Sequence, residues 1–101
     1  MMRNGLFLLA ALVLPCAAWS ATHEVTIEGM KFEPAVVTVR PGDTVVWRNK
    51  DVVPHTATAN GVFDSKEIAA GKRWSWSARK PGRHAYVCTY HPGMQGTVVV
   101  Q

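Results

Sequence analysis

The sequence predicts an all-β fold, a Greek-key antiparallel β-sandwich, and three observations carry that reading. Turn signals recur at short intervals, at Pro41-Gly42, Asn60-Gly61, Ala70-Gly71, Pro81-Gly82 and Pro92-Gly93. The runs between them are brief, rich in Val, Thr, Trp and Tyr, and alternate in polarity with the period of a strand. No convincing amphipathic helical pattern occurs beyond the amino-terminal segment.

In chain order, the first expected strand, His23–Glu28, places Val25 and Ile27 on one side, because successive side chains point to opposite faces. Val36–Arg40 does the same with Val37 and Val39 and stops at Pro41-Gly42, a turn dipeptide that fixes the bend. Thr44–Asn49 alternates Val45 and Trp47 with polar neighbours, and Thr56–Ala59 is a short strand between Pro54 and Asn60-Gly61. Arg73–Arg79 presents Trp74 and Trp76 together, so Trp47, Trp74 and Trp76 read as core. In Arg83–Cys88 one parity joins His84, Tyr86 and Cys88, so an inward Tyr86 carries Cys88 inward at the strand's end. His84 then reads as a satisfied histidine on the core side. Thr97–Gln101 closes the fold with Val98 and Val100, and Met30 is expected to fill a packing gap.

Residues 1–20 read as a cleavable signal peptide and 21–101 as the domain. Arg3 precedes an apolar run, Leu6–Leu14, which ends at Pro15 and small residues. That run is too short to span a bilayer. Cleavage is expected after residue 18, 20 or 21, giving an exported, periplasmic product of about 80 residues, a size at which a metal or disulfide often supplements the core. The chain has 11 Lys and Arg against 7 Asp and Glu. The cations are scattered rather than clustered, which argues against nucleic acid and fits a soluble monomer. Once Cys16 leaves with the leader, Cys88 has no disulfide partner in an oxidising compartment, where a bare thiol is a liability. A bound metal would protect it.

The stretch Cys88-Thr-Tyr-His91-Pro-Gly-Met94 supplies a thiolate, an imidazole and a thioether, and His55 in DVVPHTAT offers a second imidazole. Two imidazoles, one thiolate and a weak thioether are the donors of a blue-copper electron-transfer site. Thiolate and thioether suit Cu(I), and imidazole suits both oxidation states. Zinc would accept the cysteine and histidines but has little use for the thioether.

The segments MKFEPAVVTVRPGDTVVWRN, VVPHT, VFDSKEIAAGKRWSW and PGRHAYVCTYHPGMQGTVVV occur in the order shown by small cupredoxins, and the contracted C-x₂-H-x₂-M spacing resembles amicyanin. The resemblance implies a cupredoxin-like sandwich holding one type 1 copper ion through His55, Cys88, His91 and Met94. It also implies electron passage at the exposed edge of His91, ringed by Val52, Val53, Pro54, Tyr90 and Pro92. The implied function is one-electron carriage between transient redox partners, a dehydrogenase donor and a cytochrome acceptor, with no enzymatic activity of its own. Copper storage or delivery is the alternative, and the lack of a Met- or His-rich tract leans against it. Three positions depart from the pattern: Thr56 follows the upstream ligand where Asn is common, Tyr90 replaces a frequent proline, and His84 stands where Tyr is usual. A multicopper oxidase needs more than four histidines, and a binuclear copper centre needs two loop cysteines. Cleavage after Ser20 would also make Ala21-Thr22-His23 a possible square-planar Cu(II) or Ni(II) site at the free amino terminus.

Overall fold

The computed structural model describes residues 19–101. The expected leader therefore lies outside the described residues, apart from Trp19 and Ser20. Among the described residues nine strands form: β1 Thr22–Ile27, β2 Phe32–Glu33, β3 Val36–Val39, β4 Thr44–Asn49, β5 Thr58–Ala59, β6 Phe63–Asp64, β7 Arg73–Ser77, β8 Gly82–Cys88 and β9 His91–Val100. They build two sheets, ordered β2-β1-β4-β7 and β3-β9-β8-β5-β6. Among the described residues no helix is long and apolar enough to cross a membrane.

The expected sandwich is present, with two refinements. Its sheets are mixed, because β1 pairs with β4 and β3 with β9 in parallel. The chain leaves β1, visits the other sheet as β3, and returns as β4, so β1 and β4 enter their sheet from the same end. The last strand also begins earlier than expected. His91 already pairs with Cys88 across the two-residue turn Thr89-Tyr90, with a register shift at Val87/Cys88. The two-residue strands β2 and β6 escape a periodicity reading, since two residues cannot display an alternation.

The long strands all run between the same two ends. Ile27, Asn49, Arg73, Cys88 and His91 lie at one, and Thr22, Thr44, Ser77, Gly82 and Val100 at the other. Between the sheets Trp47 is fully buried and Tyr86 is 1% exposed. Their rings meet edge to face at 5.3 Å, with Phe63 5.1 Å from Trp47 and Phe32 4.7 Å from Tyr86. Val25, Ile27, Val39, Val45, Val98 and Val100 complete the interior on the expected parities. Val37, Trp74 and Trp76 are only half-buried and pack against its margin. His84 is half-buried on the parity of Tyr86 and satisfied as expected, its Nε2 donating to the Lys80 carbonyl at 2.9 Å. Met30 is not a core filler. It is 41% exposed in a turn with φ of 61°, and its amide does structural work by donating to Asp51.

Tyr86 explains Gly96. A Cβ at Gly96 would fall inside the Tyr86 phenol, which lies flat against that backbone. Among the described residues, Tyr86 Oη and Trp47 Nε1 are the buried side-chain polar atoms without a hydrogen-bond partner. Burial pushes the Tyr86 hydroxyl up to about 12, the nearby indole acting weakly the other way.

At the end remote from Cys88, Asp43 gathers the start of the domain. Its side chain accepts from the Arg40 amide at 2.9 Å and the Ala21 amide at 2.9 Å, and lies 2.9 Å from His23 Nε2. These donors hold its carboxyl down at about 2. The Ala21-Thr22-His23 segment is thus committed to β1, where Thr22 and His23 pair with Thr44 and Val45. A square-planar site there would require that backbone to leave the sheet.

Two expected outcomes follow from the packing. Gly96→Ala destabilises the fold by about 1–3 kcal/mol through overpacking, whereas Tyr86→Phe stays within about 1 kcal/mol because its hydroxyl has no partner to lose. Urea unfolding of both variants checks this. Because Asp43 titrates lower in the folded than in the unfolded chain, its contribution is complete above the ordinary value of 3.8 and disappears as pH falls through about 2. Thermal melts of Asp43→Asn across that interval are expected to show a flatter acid limb than the unsubstituted chain.

Candidate metal centre

Alternation in β8 delivers the sulfur. With Tyr86 inward, Cys88 is inward as well and fully buried, yet it is the strand's last residue and stands at the rim of the core. The tight Thr89-Tyr90 turn then folds His91 back beside it. Cys88 Sγ lies 3.7 Å from His91 Nδ1.

The second imidazole arrives from the β4–β5 connection. Asn49, fully buried, organises that segment: its side-chain amide donates to the Val53 and Ile68 carbonyls, both at 2.9 Å. Its carbonyl oxygen accepts the Asp51 amide at 2.9 Å. His55 is pinned by backbone hydrogen bonds in both directions with Ile68 and is fully buried. Its Nδ1 lies 3.7 Å from Cys88 Sγ. The sulfur and one nitrogen from each ring all fall within 4.8 Å of one another.

Asp51 orients His55 from behind, with Oδ2 2.8 Å from Nε2. Nδ1 faces the sulfur, so Nε2 carries the proton and donates to the carboxylate. Asp51 in turn accepts the Gly29 and Met30 amides at 2.8 and 3.1 Å. Burial opposes its ionisation, but the Met30 and Gly29 amides and the His55 ring outweigh this and keep the carboxyl below its usual range. Sequence reading missed Asp51. The i, i+4 spacing to His55 and the neighbouring Pro54 were the available signals.

Thr56 clamps the two loops. Its amide points at Cys88 Sγ at 3.4 Å, and its Oγ1 accepts the Thr89 amide at 2.9 Å. The same oxygen lies 3.2 Å from Thr89 Oγ1 and 3.0 Å from Thr58 Oγ1. The threonine that replaces the common asparagine therefore still braces the cysteine loop. Tyr90, at the proline position, donates its hydroxyl to Glu67 Oε1 at 3.1 Å, and that carboxylate raises the phenol's pKa.

The structure thus brings His55, Cys88 and His91 together, and Met94 is buried on the inward parity of β9 three residues after His91. His91 is half-buried and flanked in sequence by exposed Tyr90 and Pro92, and on the connection that carries His55, Val52, Val53 and Pro54 are exposed as well, Val52 at 92%. A buried sulfur and a buried imidazole, both held by hydrogen bonds, with a second, half-buried imidazole beside them, fit a copper ion well.

A two-sheet sandwich with such a cluster at one end defines a small metal-binding β protein of the cupredoxin kind. The Cupredoxin-like domain family matches residues 5–100, and the chain belongs to that family. Within it the chain is amicyanin-like. Amicyanin-alpha of Methylorubrum extorquens is 34% identical over 88 residues, which cover 81% of this chain and 74% of that protein. Amicyanin of Paracoccus denitrificans is 36% identical over 87 residues, covering 76% of this chain and 63% of that protein. The chain therefore spans less than two thirds of the Paracoccus relative. The Cu(I) form of an amicyanin variant superimposes with a TM-score of 0.75 at 33% identity, covering 84% of this chain and 86% of that one.

Thr56→Val keeps the shape and the amide near Cys88 but removes the acceptor for the Thr89 amide. The expected result is copper binding about 10–100-fold weaker, as for other supports of metal ligands, read by competition with a chelator.

Proposed function

We propose that His55, Cys88, His91 and Met94 hold one type 1 copper ion, and that the exported chain carries single electrons between redox proteins in the periplasm. The convergence of Cys88 Sγ with two ring nitrogens, each 3.7 Å away, carries this reading. A copper ion bound there supplies one-electron exchange between Cu(II) and Cu(I).

The chain's own residues do the rest. Asp51 fixes the tautomer of His55, so Nδ1 is free to act as a ligand without rotation of the ring. Thr56 directs its amide at the sulfur of Cys88, a contact that would favour the thiolate form a bound metal requires. Met94 would add a weak thioether donor, which suits a site that must accept both oxidation states with little rearrangement. His55 and Cys88 are excluded from water, whereas His91 reaches the surface amid exposed apolar side chains. That patch suits brief docking, in keeping with the small contact areas of redox encounters. The amicyanin resemblance favours a dehydrogenase as donor and a cytochrome as acceptor. The role is carriage of electrons, not turnover of a substrate.

Adding Cu(II) to the purified protein is expected to produce an intense blue absorption that Cys88→Ser abolishes and Met94→Leu retains with a shifted potential. A colourless complex, or a blue colour that survives Cys88→Ser, overturns the assignment.

A further inference from the structure

The charged residues are divided unevenly between the two ends of the sandwich. Over the rest of the domain, from the middle of the strands to the metal centre, Lys31, Arg48, Lys50, Lys66, Lys72 and Arg73 are matched in number by Glu24, Glu28, Glu33, Asp51, Asp64 and Glu67. Some are directly paired, Arg48 with Glu24 at 2.7 Å and Lys66 with Asp64 at 3.5 Å. The opposite end carries Arg40 after β3, Arg79 and Lys80 after β7, and Arg83 at the start of β8, all exposed.

Backbone contacts hold those turns side by side. The Gly42 amide donates to the Ala78 carbonyl at 2.6 Å and the Ala78 amide to the Asp43 carbonyl at 2.8 Å. Arg83 sits opposite Val99, and Val39 beside Val100. Asp43 is the one side-chain carboxylate at this end among the described residues. It is 4% exposed and already engaged by two amides and His23. None of the four cations has an ion-pair partner among the described residues. The excess positive charge of the folded domain is therefore concentrated at the end remote from the metal centre.

We propose that this end is a docking surface for anionic phospholipid headgroups. The chain itself indicates the partner. β1 starts here, preceded by Trp19, which is 84% exposed, and the apolar run Leu6–Leu14 lies just upstream in the sequence. In a chain that retains this run, which is too short to span a bilayer, it adds apolar contact with a membrane surface at the end bearing Arg40, Arg79, Lys80 and Arg83, with Trp19 at headgroup level. After removal of the run, the four cations remain and give a weaker, reversible and salt-sensitive association. In either form the metal centre, about 30 Å away along the ten residues of β9, faces the aqueous compartment. The inference does not depend on copper.

Co-sedimentation of the full chain with vesicles tests it, taking the ratio of binding on phosphatidylcholine with about 30% phosphatidylglycerol to binding on phosphatidylcholine alone, which cancels the contribution of the apolar run. The ratio is expected to reach about tenfold at low salt and to collapse in about 0.5 M salt. Arg79→Glu/Lys80→Glu/Arg83→Glu abolishes it, and Lys50→Glu/Lys72→Glu/Arg73→Glu at the metal end leaves it in place. The milder Arg79→Gln and Lys80→Gln, at exposed turn positions, lower it stepwise and remain informative if the triple variant unfolds. A ratio near one for the unsubstituted chain, or equal loss from the two triple variants, overturns the proposal.

Discussion

One residue sets the distance between two loops separated by more than thirty positions in sequence. Thr56 directs its amide at Cys88 Sγ and accepts the Thr89 amide on its hydroxyl, so the β8–β9 turn cannot drift from the β4–β5 connection without breaking both contacts. Each hydrogen bond contributes only about 1 kcal/mol net. Their value is positional, because His55 immediately precedes Thr56 and Cys88 immediately precedes Thr89. Fixing one pair of neighbours fixes the other, and the sulfur and the first imidazole face each other as a result.

The sequence made some of this plain and hid the rest for identifiable reasons. Parity in β8 was legible: once Tyr86 was taken as inward, Cys88 had to follow, and its burial agrees. The alternation of Val45 with Trp47 and of Val98 with Val100 likewise marked the core faces correctly. Trp74 and Trp76 obeyed the same alternation yet came out half-buried, because periodicity distinguishes two faces without saying how fully one is covered, and β7 lies at a sheet edge. Strand pairing was not legible at all. The parallel contacts of β1 with β4 and β3 with β9 arise from crossovers between sheets, which local patterning does not encode. Met30 misled for a different reason. Its apolar side chain suggested packing, but what the fold uses is its backbone amide in a left-handed turn. The cluster of His55, Cys88 and His91 was legible because a thiol and imidazoles are rare and chemically distinctive. Asp51 was not, since a surface-loop carboxylate resembles many others until the geometry places it behind a ring.

The two ends of the sandwich use one device for different purposes. At each, a largely buried or half-buried aspartate accepts two backbone amides and engages one imidazole: Asp43 with His23, and Asp51 with His55. At the Asp43 end all the bonds are structural and tie the first strand to the β3–β4 turn. At the Asp51 end, the amides come from Gly29 and Met30, beyond the end of β1, so the carboxylate anchors its loop to the same first strand while presenting Nδ1 of His55 to the sulfur. β1 is therefore fastened at both ends by carboxylates. A displacement of it would, through Asp51, disturb the orientation of a proposed ligand on a different connection.

This arrangement explains why the site belongs at the rim instead of the middle of the core. Between the sheets, Trp47, Tyr86 and Phe63 pack ring against ring, and Tyr86 lies so close to Gly96 that this position must lack a side chain. At the last residue of β8 the packing runs out, and Cys88 keeps the burial of the interior while facing the turn that brings His91. Burial on one side holds His55 and Cys88 rigid and dry. Exposure on the other leaves His91 at the surface, where a partner can approach. A site deeper in the sandwich would lose contact with partners, and one farther out on a loop would lose the hydrogen bonds that fix its donors. The end of an inward-facing strand satisfies both requirements with a chain of this size.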